Sequence, residues 1–317
     1  MNDSSAPVLV TGGSGFIAGH VISALLAHGR RVRTTARSLD ADAVIRAQLA
    51  RIGTADPGGR LEVVVADLTA DDGWSQALSG VEEVLHVASP VVIGAVDDED
   101  AVIRPAREGT LRVLRAAADA GVRRVVLTSA FHAVSWGWTD TEHTFTDDDW
   151  SKLDGPGVDA YTKAKTLAER DAWEFAAAHP EMELVALNPV AVLGPVVSDR
   201  LSGGNAMVAH LLAGRMNPLP DLWLPIVDVR DVAEAHVLAL SAPGAAGRRL
   251  LLAGSGGMHL AEVAALLGRE LDRPDLADAA GGHGTVKRID GSSAREILGW
   301  MPRPTAETVL DTARSLL

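Results

Sequence analysis

The chain of 317 residues has no cysteine, a single tyrosine and an aromatic content of only 4%. Without cysteine there is no disulfide, no thiolate metal site and no cysteine nucleophile. Basic residues are outnumbered, 29 Lys and Arg against 42 Asp and Glu, for a net charge of −13. No basic tract offsets that excess, which argues against nucleic acid or an anionic membrane as a partner. No apolar run approaches the roughly 20 residues that cross a bilayer. Residues 1–7 lack the cationic and apolar regions of a signal peptide, so a soluble cytoplasmic protein is expected. The acidic runs at 97–100 and 147–149 read as solvated loops or helix starts. No convergent ligand set for a metal is visible.

Hydrophobic residues make up 47% of the chain, enough for a substantial core. In the first half, short β-branched runs alternate with helical stretches. Strands are expected at 8–11, 31–35, 61–65, 83–87, 124–128 and 183–187, with helices at 15–28, 40–52, 71–78, 97–121 and 158–179. Near-continuous apolar strands separated by helices point to an α/β fold with a doubly wound parallel sheet of the Rossmann type. After Asn188-Pro189, Gly, Pro and Asn punctuate 194–225. A helix at 228–240, a strand at 249–252 and helices at 259–271 and 292–298 then follow. The expected organisation is a nucleotide-binding domain over 1–190 and a smaller lobe over 191–317, interleaved with the last strands of the sheet. The Gly-rich stretch 279–284 reads as a loop.

The first strand runs into Gly12-Gly13-Ser14-Gly15-Phe16-Ile17-Ala18 and then an apolar helix. Gly12 and Gly15 suit a strand–turn–helix that sets backbone amides and a helix N-terminus against a pyrophosphate. The second strand ends Arg33-Thr34-Thr35-Ala36-Arg37, with no acid until Asp40. An acid there would favour a free ribose 2′-hydroxyl; Arg37, and less directly Arg33, suits a 2′-phosphate instead. NADP(H) is therefore the expected cofactor. Asp67 and Leu68, after the third strand, are placed to meet the adenine.

The one tyrosine lies four residues before Lys165 in a helical stretch. Positions i and i+4 share a helix face, so Tyr161 and Lys165 can serve one site. A nearby ammonium favours phenolate, which predicts a Tyr161 pKa below the usual ~10. Solvent-facing placement of both residues is the plain alternative.

Together these segments resemble the extended short-chain dehydrogenase/reductase family, and within it the dihydroflavonol-reductase-like aldehyde and ketone reductases. The matching pieces are Thr11 to Ala18, Ala66-Asp67-Leu68, His86-Val87-Ala88-Ser89-Pro90, Gly109 to Leu114, Thr128-Ser129, Tyr161 to Lys165, Asn188-Pro189 and Val227 to Ala233. They occur in family order over residues 8 to about 240. The resemblance implies hydride transfer from NADPH to a carbonyl carbon. It implies Tyr161 as proton donor to the carbonyl oxygen and Lys165 on the nicotinamide ribose. Val87, Ala88, Ser89, Thr128 and Pro189 would then lie along the nicotinamide. One departure matters. The family usually has Thr-Ser-Ser or Ser-Ser after the fifth strand, the second serine bonding the substrate oxygen; here that position is Ala130. Ser129 is the candidate replacement, with Thr128, His132 and Ser135 as other possible donors.

Pocket candidates converge from 90–93, 131–138, 190–196, Met207 and 222–224. Pro90, Phe131, His132, Ser135, Met207 and Trp223 are the expected substrate residues, and they suit an apolar or aromatic carbonyl compound. The helices at 97–121 and 158–178 could join a homodimer, although their apolar faces equally suit the core. A nucleotide-sugar epimerase or dehydratase of the same family, and a non-catalytic NADP-binding protein, are the competing readings.

Overall fold

The computed structural model describes residues 6–54, 56, 59–90, 96–198, 201–277 and 284–317. Its first half runs β1 (Val8–Val10), α1 (Phe16–Ala27), β2 (Val32–Ala36), α2 (Ala41–Ile52), β3 (Leu61–Val65), α3 (Trp74–Leu78), β4 (Glu83–His86), α4 (Asp100–Asp119) and β5 (Arg124–Thr128). A 3-10 turn (Phe131–Ala133), β6 (Thr144–Phe145), α5 (Ala160–Ala178) and β7 (Glu183–Pro189) follow. Next come β8 (Ala191–Leu193), α6 (Gly203–Leu212), β9 (Trp223–Asp228), α7 (Val229–Ser241) and β10 (Arg249–Leu252). The chain closes with β11 (Gly256–His259), α8 (Leu260–Glu270), α9 (Pro274–Ala277), β12 (Arg288–Ile289), α10 (Ser292–Leu298) and α11 (Thr305–Ser315).

Seven strands form one sheet in the order β10-β7-β5-β4-β1-β2-β3, every neighbouring pair parallel. Side chains alternate across a strand, and β1 shows what that does here. Val8 and Val10 face a core with Val21, Ile22 and Leu25 of α1 and Val232 and Ala235 of α7. Leu9 faces the opposite core, with Trp74 of α3 and Val113, Leu114 and Ala117 of α4. A short run of three apolar residues is thus buried on both sides, as a doubly wound sheet requires. The expected parallel α/β architecture is present.

Local chemistry sets the helix ends. Asp159 accepts from the Thr162 N–H at 2.8 Å and caps α5, and Gly53 ends α2 at φ +83°, a conformation that suits glycine. Several expected helices begin late: α3 starts at Trp74 and α4 at Asp100. The apolar face of α4 is used within the chain, Val102 and Ala106 packing on Ala160, Ala164 and Ala168 of α5.

The second half adds a three-stranded sheet, β11-β9-β8, covered by α6, α8 and α11 over Leu193, Val208, Ile226, Leu260, Leu267 and Val309. β10 instead returns to the large sheet beside β7. β6 and β12 pair in parallel, Phe145 opposite Ile289, and tie the segment after β5 to the C-terminal part. α6 and α11 were not anticipated by the sequence pattern. Of the Gly-rich loop only Gly284 is among the described residues, and 91–93 of the pocket candidates lie outside them. Among the described residues no helix is long and apolar enough to cross a membrane, and no acidic or histidine group is arranged for a metal.

Candidate active site

From β1 the chain proceeds outward to β2 and β3, then back past β1 to β4, so the topological switch lies between β1 and β4. Crevices at the carboxyl ends of strands flanking such a switch are where ligands bind in this architecture. Gly12 turns the chain there at φ +72°, and a Cβ on it would stand 2.8 Å from the Ala88 Cβ. A Cβ on Gly13 would stand 2.4 Å from Thr34 Oγ1. The glycines therefore let the turn nest between the loop after β4 and strand β2. The Gly12 and Gly13 amides donate to Thr35, each at 3.0 Å, and Gly15 donates to Gly12 O. Donors for a phosphate lie one step further on. Gly15 provides no capping side chain, so the first-turn amides of α1, Phe16 and Ile17 among them, keep the unpaired character of a helix N-terminus.

Thr11, the first residue of the glycine motif and given no role by it, anchors the opposite wall. Its Oγ1 accepts from the Val87 and Ala88 amides at 3.0 and 2.9 Å. With those places taken, its proton goes to His86 Nδ1 at 2.9 Å, which puts the imidazole proton on Nε2. Burial pushes His86 down to about 3 and keeps it neutral. Ser89 and Pro90 continue this wall, half-buried.

The two arginines of the second strand part company. Arg33 stands opposite Glu62 of β3, ion-paired at 2.7 Å, and donates to the carbonyls of Ala77 and Ser79. It holds α3 to the sheet and is not free for a phosphate. Arg37 is exposed just beyond the end of β2 and makes no hydrogen bond or ion pair among the described residues. Asp67 accepts from the Thr69 amide and hydroxyl, both at 2.8 Å, which hold its carboxyl below the usual range. Leu68 packs on Gly109, where a Cβ would come within 3.1 Å.

α5 carries Tyr161 and Lys165 to the end of β5. Lys165 is buried, and its Nζ donates to Thr128 O at 3.5 Å. The Tyr161 ring meets His132 edge-on, centroids 4.8 Å apart at 75°. Burial pushes the phenol up to about 12, with the Asp159 carboxylate adding to the rise. Burial also brings Lys165 down to about 8, against the opposing pull of Glu169. The expected depression of the phenol is thus corrected. Both groups lose solvent, and removing water from a charge outweighs the helix-face pairing that the spacing suggested.

Two of the hydroxyls expected near the carbonyl, those of Ser129 and Thr128, give their protons elsewhere. Ser129 Oγ donates to Glu169 Oε2 at 2.5 Å, in a buried network where Asn188 Nδ2 (2.8 Å), Arg249 Nε (2.6 Å) and Trp173 Nε1 (3.3 Å) also donate to that carboxylate. Its candidacy as a substrate donor is therefore corrected. His236 Nδ1 donates to Val232 O at 2.7 Å, so its Nε2 accepts the Thr128 hydroxyl at 2.7 Å. Ser135 is buried and receives Lys287 Nζ at both its carbonyl oxygen and its Oγ, 2.9 and 3.0 Å. Phe131 is 2% exposed and packs edge-on against Trp136 and Phe145, a core residue and not a pocket wall. Met207 packs on the apolar cluster of the second lobe, and the Trp223 ring covers Gly257. Packing accounts for both. Pro189, at the buried end of β7, lies in the same row of strand ends as Thr128 and His86.

The sequence profile of the NAD dependent epimerase/dehydratase family matches residues 8–253. The chain belongs to this family. Cinnamoyl-CoA reductase 1 of Arabidopsis thaliana is 36% identical over 265 residues, covering 83% of this chain and 74% of the relative. Tetraketide alpha-pyrone reductase 2 of the same plant is 32% identical over 271 residues, covering 82% and 81%. In structure, yeast methylglyoxal/isovaleraldehyde reductase complexed with NADPH superposes with a TM-score of 0.82 at 28% identity, covering 98% of each chain. The family members just named are reductases, consistent with the dehydrogenase/reductase resemblance of the motifs.

Proposed function

We infer that the chain is an NADP(H)-dependent reductase that converts aldehydes or ketones to alcohols, reversibly. The observation that carries this reading is the placement of Tyr161 and Lys165 by one helix at the carboxyl end of β5, beside the switch between β1 and β4. Its reductase relatives and the NADPH complex of its structural neighbour support it.

The residues present fit the cofactor. The uncapped first turn of α1 would hold the pyrophosphate, Arg37 the 2′-phosphate, and the Val87–Pro90 wall with Pro189 the nicotinamide end. NADPH, when bound, supplies the hydride. The protein's part is to orient the carbonyl and move one proton. A phenol held at about 12 is fully protonated at neutral pH, so Tyr161 is charged with the proton that the carbonyl oxygen needs. Lys165, cationic below about 8, would hydrogen-bond the ribose and would stabilise the phenolate left behind. In the reverse direction the phenol must first lose its proton, so alcohol oxidation gains with rising pH.

Half-buried His132, edge-on to Tyr161, and Trp136 stacked on it support an apolar or aromatic substrate. The reading includes a cytoplasmic enzyme acting on a free small molecule; homodimer formation through α4 and α5 is checked by sedimentation. The test of function is a carbonyl panel assayed with NADPH and NADH side by side. Carbonyl-dependent loss of NADPH, with NADH used less well, is expected. Conversion of a nucleotide sugar without net cofactor consumption would replace the reading with an epimerase. Tight NADPH binding with no turnover across the panel would make the protein a binding module.

A further inference from the structure

The site has an acid in Tyr161 but lacks the hydroxyl that the resemblance places at position 130. We propose that the imidazole of His132 supplies the second hydrogen bond to the substrate's carbonyl oxygen, taking the place of the side chain absent at Ala130. The proposal rests on the reductase reading above and adds a catalytic residue to it.

Elimination and geometry lead to the same side chain. The hydroxyl protons of Ser129 and Thr128 go to Glu169 and His236, and Ser135 is buried with its Oγ accepting from Lys287. His132 follows Ala130 by two residues on the 3-10 turn, and its ring lies 4.8 Å from the Tyr161 ring, centroid to centroid. Neither of its ring nitrogens has a hydrogen-bond partner among the described residues, although the residue keeps part of its surface open. The imidazole is thus a polar group without a partner beside the acid.

The ring is also held. Trp136 stacks on it, centroids 3.8 Å apart and 19° from parallel. Lys287 Nζ lies 3.9 Å from the Trp136 centroid and donates to Ser135, fastening the turn from the C-terminal side. A donor fixed before the substrate arrives needs no reorganisation when charge develops on the oxygen, which is where such bonds lower a barrier most.

The charges facing His132 are the Asp159 carboxylate, which favours its protonation, and the Lys287 and Lys165 ammonium groups, which oppose it. Burial is larger than all three and brings the imidazole down to about 4. At neutral pH it is a neutral donor with one N–H. It keeps its proton throughout: Tyr161 transfers the proton, and His132 contributes only the hydrogen bond.

The test is a cycle of His132→Ala, His132→Gln, Ala130→Ser and the double variant Ala130→Ser/His132→Ala. Each is measured for kcat and KM, and for NADPH affinity by cofactor fluorescence. His132→Ala is expected to lower kcat by about 10²–10³-fold with NADPH affinity unchanged, the usual effect of deleting one oxyanion donor. His132→Gln, which keeps an N–H, retains more activity than the alanine variant. Ala130→Ser in the His132→Ala background restores at least about tenfold by returning a donor to the same oxygen. The parent kcat stays flat between pH 5 and 7, because no imidazolium forms there. Turnover of His132→Ala within about threefold of the parent would overturn the proposal. So would a double variant that binds NADPH normally and recovers nothing. If the parent turns over no carbonyl compound, the reductase reading itself fails, a separate result.

Discussion

The glycine turn of the crevice and its substrate side differ in how far along the chain their partners lie. At the pyrophosphate turn, Gly12 bonds Thr35, 23 residues away, where β1 meets α1, whereas Thr11 reaches Val87 and Ala88 across 76 and 77 residues. On the substrate side, Ser135 bonds Lys287 across 152 residues, Thr128 bonds His236 across 108, and Glu169 meets Arg249 across 80. The first is written in short motifs that local backbone rules make readable. The second exists only after distant segments have come together, so its residues carry no signal in their own neighbourhood. The difference also divides the chemistry: the glycine turn is built locally, and the substrate side is fixed by long-range folding.

Breaking each side tests the contrast. The largest effect is expected on the long-range side, from Glu169→Ala. It leaves Arg249, 9% exposed at its side chain, without its carboxylate, and frees Ser129 and Asn188 of their acceptor. Removing one partner of a buried ion pair costs about 3–5 kcal/mol, read as a lowered midpoint in urea at unchanged slope. On the local side, Arg37→Ala should leave the fold intact. It should raise KM for NADPH about 10–100-fold, the worth of a charge-assisted contact, while KM for NADH stays put. The smallest effect is a pH dependence. Lys165 is lowered from 10.5 to about 8, so its charge is present below pH 8 and lost as pH rises through it. kcat/KM for reduction should be level near neutrality and fall above pH 8, roughly tenfold per unit at the limit. A Lys165→Arg variant that moves this limb upward would identify its source.

Much of the fold was legible because β1, β4, β5, β7 and β10 are largely apolar runs buried almost throughout, and their pattern needs no partner to be recognised. Arg33 shows where such reading stops. Its place next to Glu62 follows from the β2–β3 register, which appears only once the sheet is assembled. Phe131 looked like pocket surface but turns inward against Phe145, held by a pairing of β6 with β12 that no local pattern announces. Glu169 was findable: Tyr161, Lys165 and Glu169 are spaced by four, so all three lie on one face of α5. The direction of the Tyr161 shift was not, because spacing reports a neighbouring charge and says nothing about lost solvent.

The central claim is that Tyr161 is the acid of an NADPH-dependent carbonyl reduction. Its most direct test is turnover of Tyr161→Phe on an aldehyde that the parent reduces, with NADPH affinity measured on the same sample. Removing only the hydroxyl leaves the ring against His132. The account predicts unchanged cofactor binding and a loss of about 10²–10⁴-fold in kcat, the range for a positioned general acid. Turnover equal to the parent's in a variant that binds NADPH normally would contradict it.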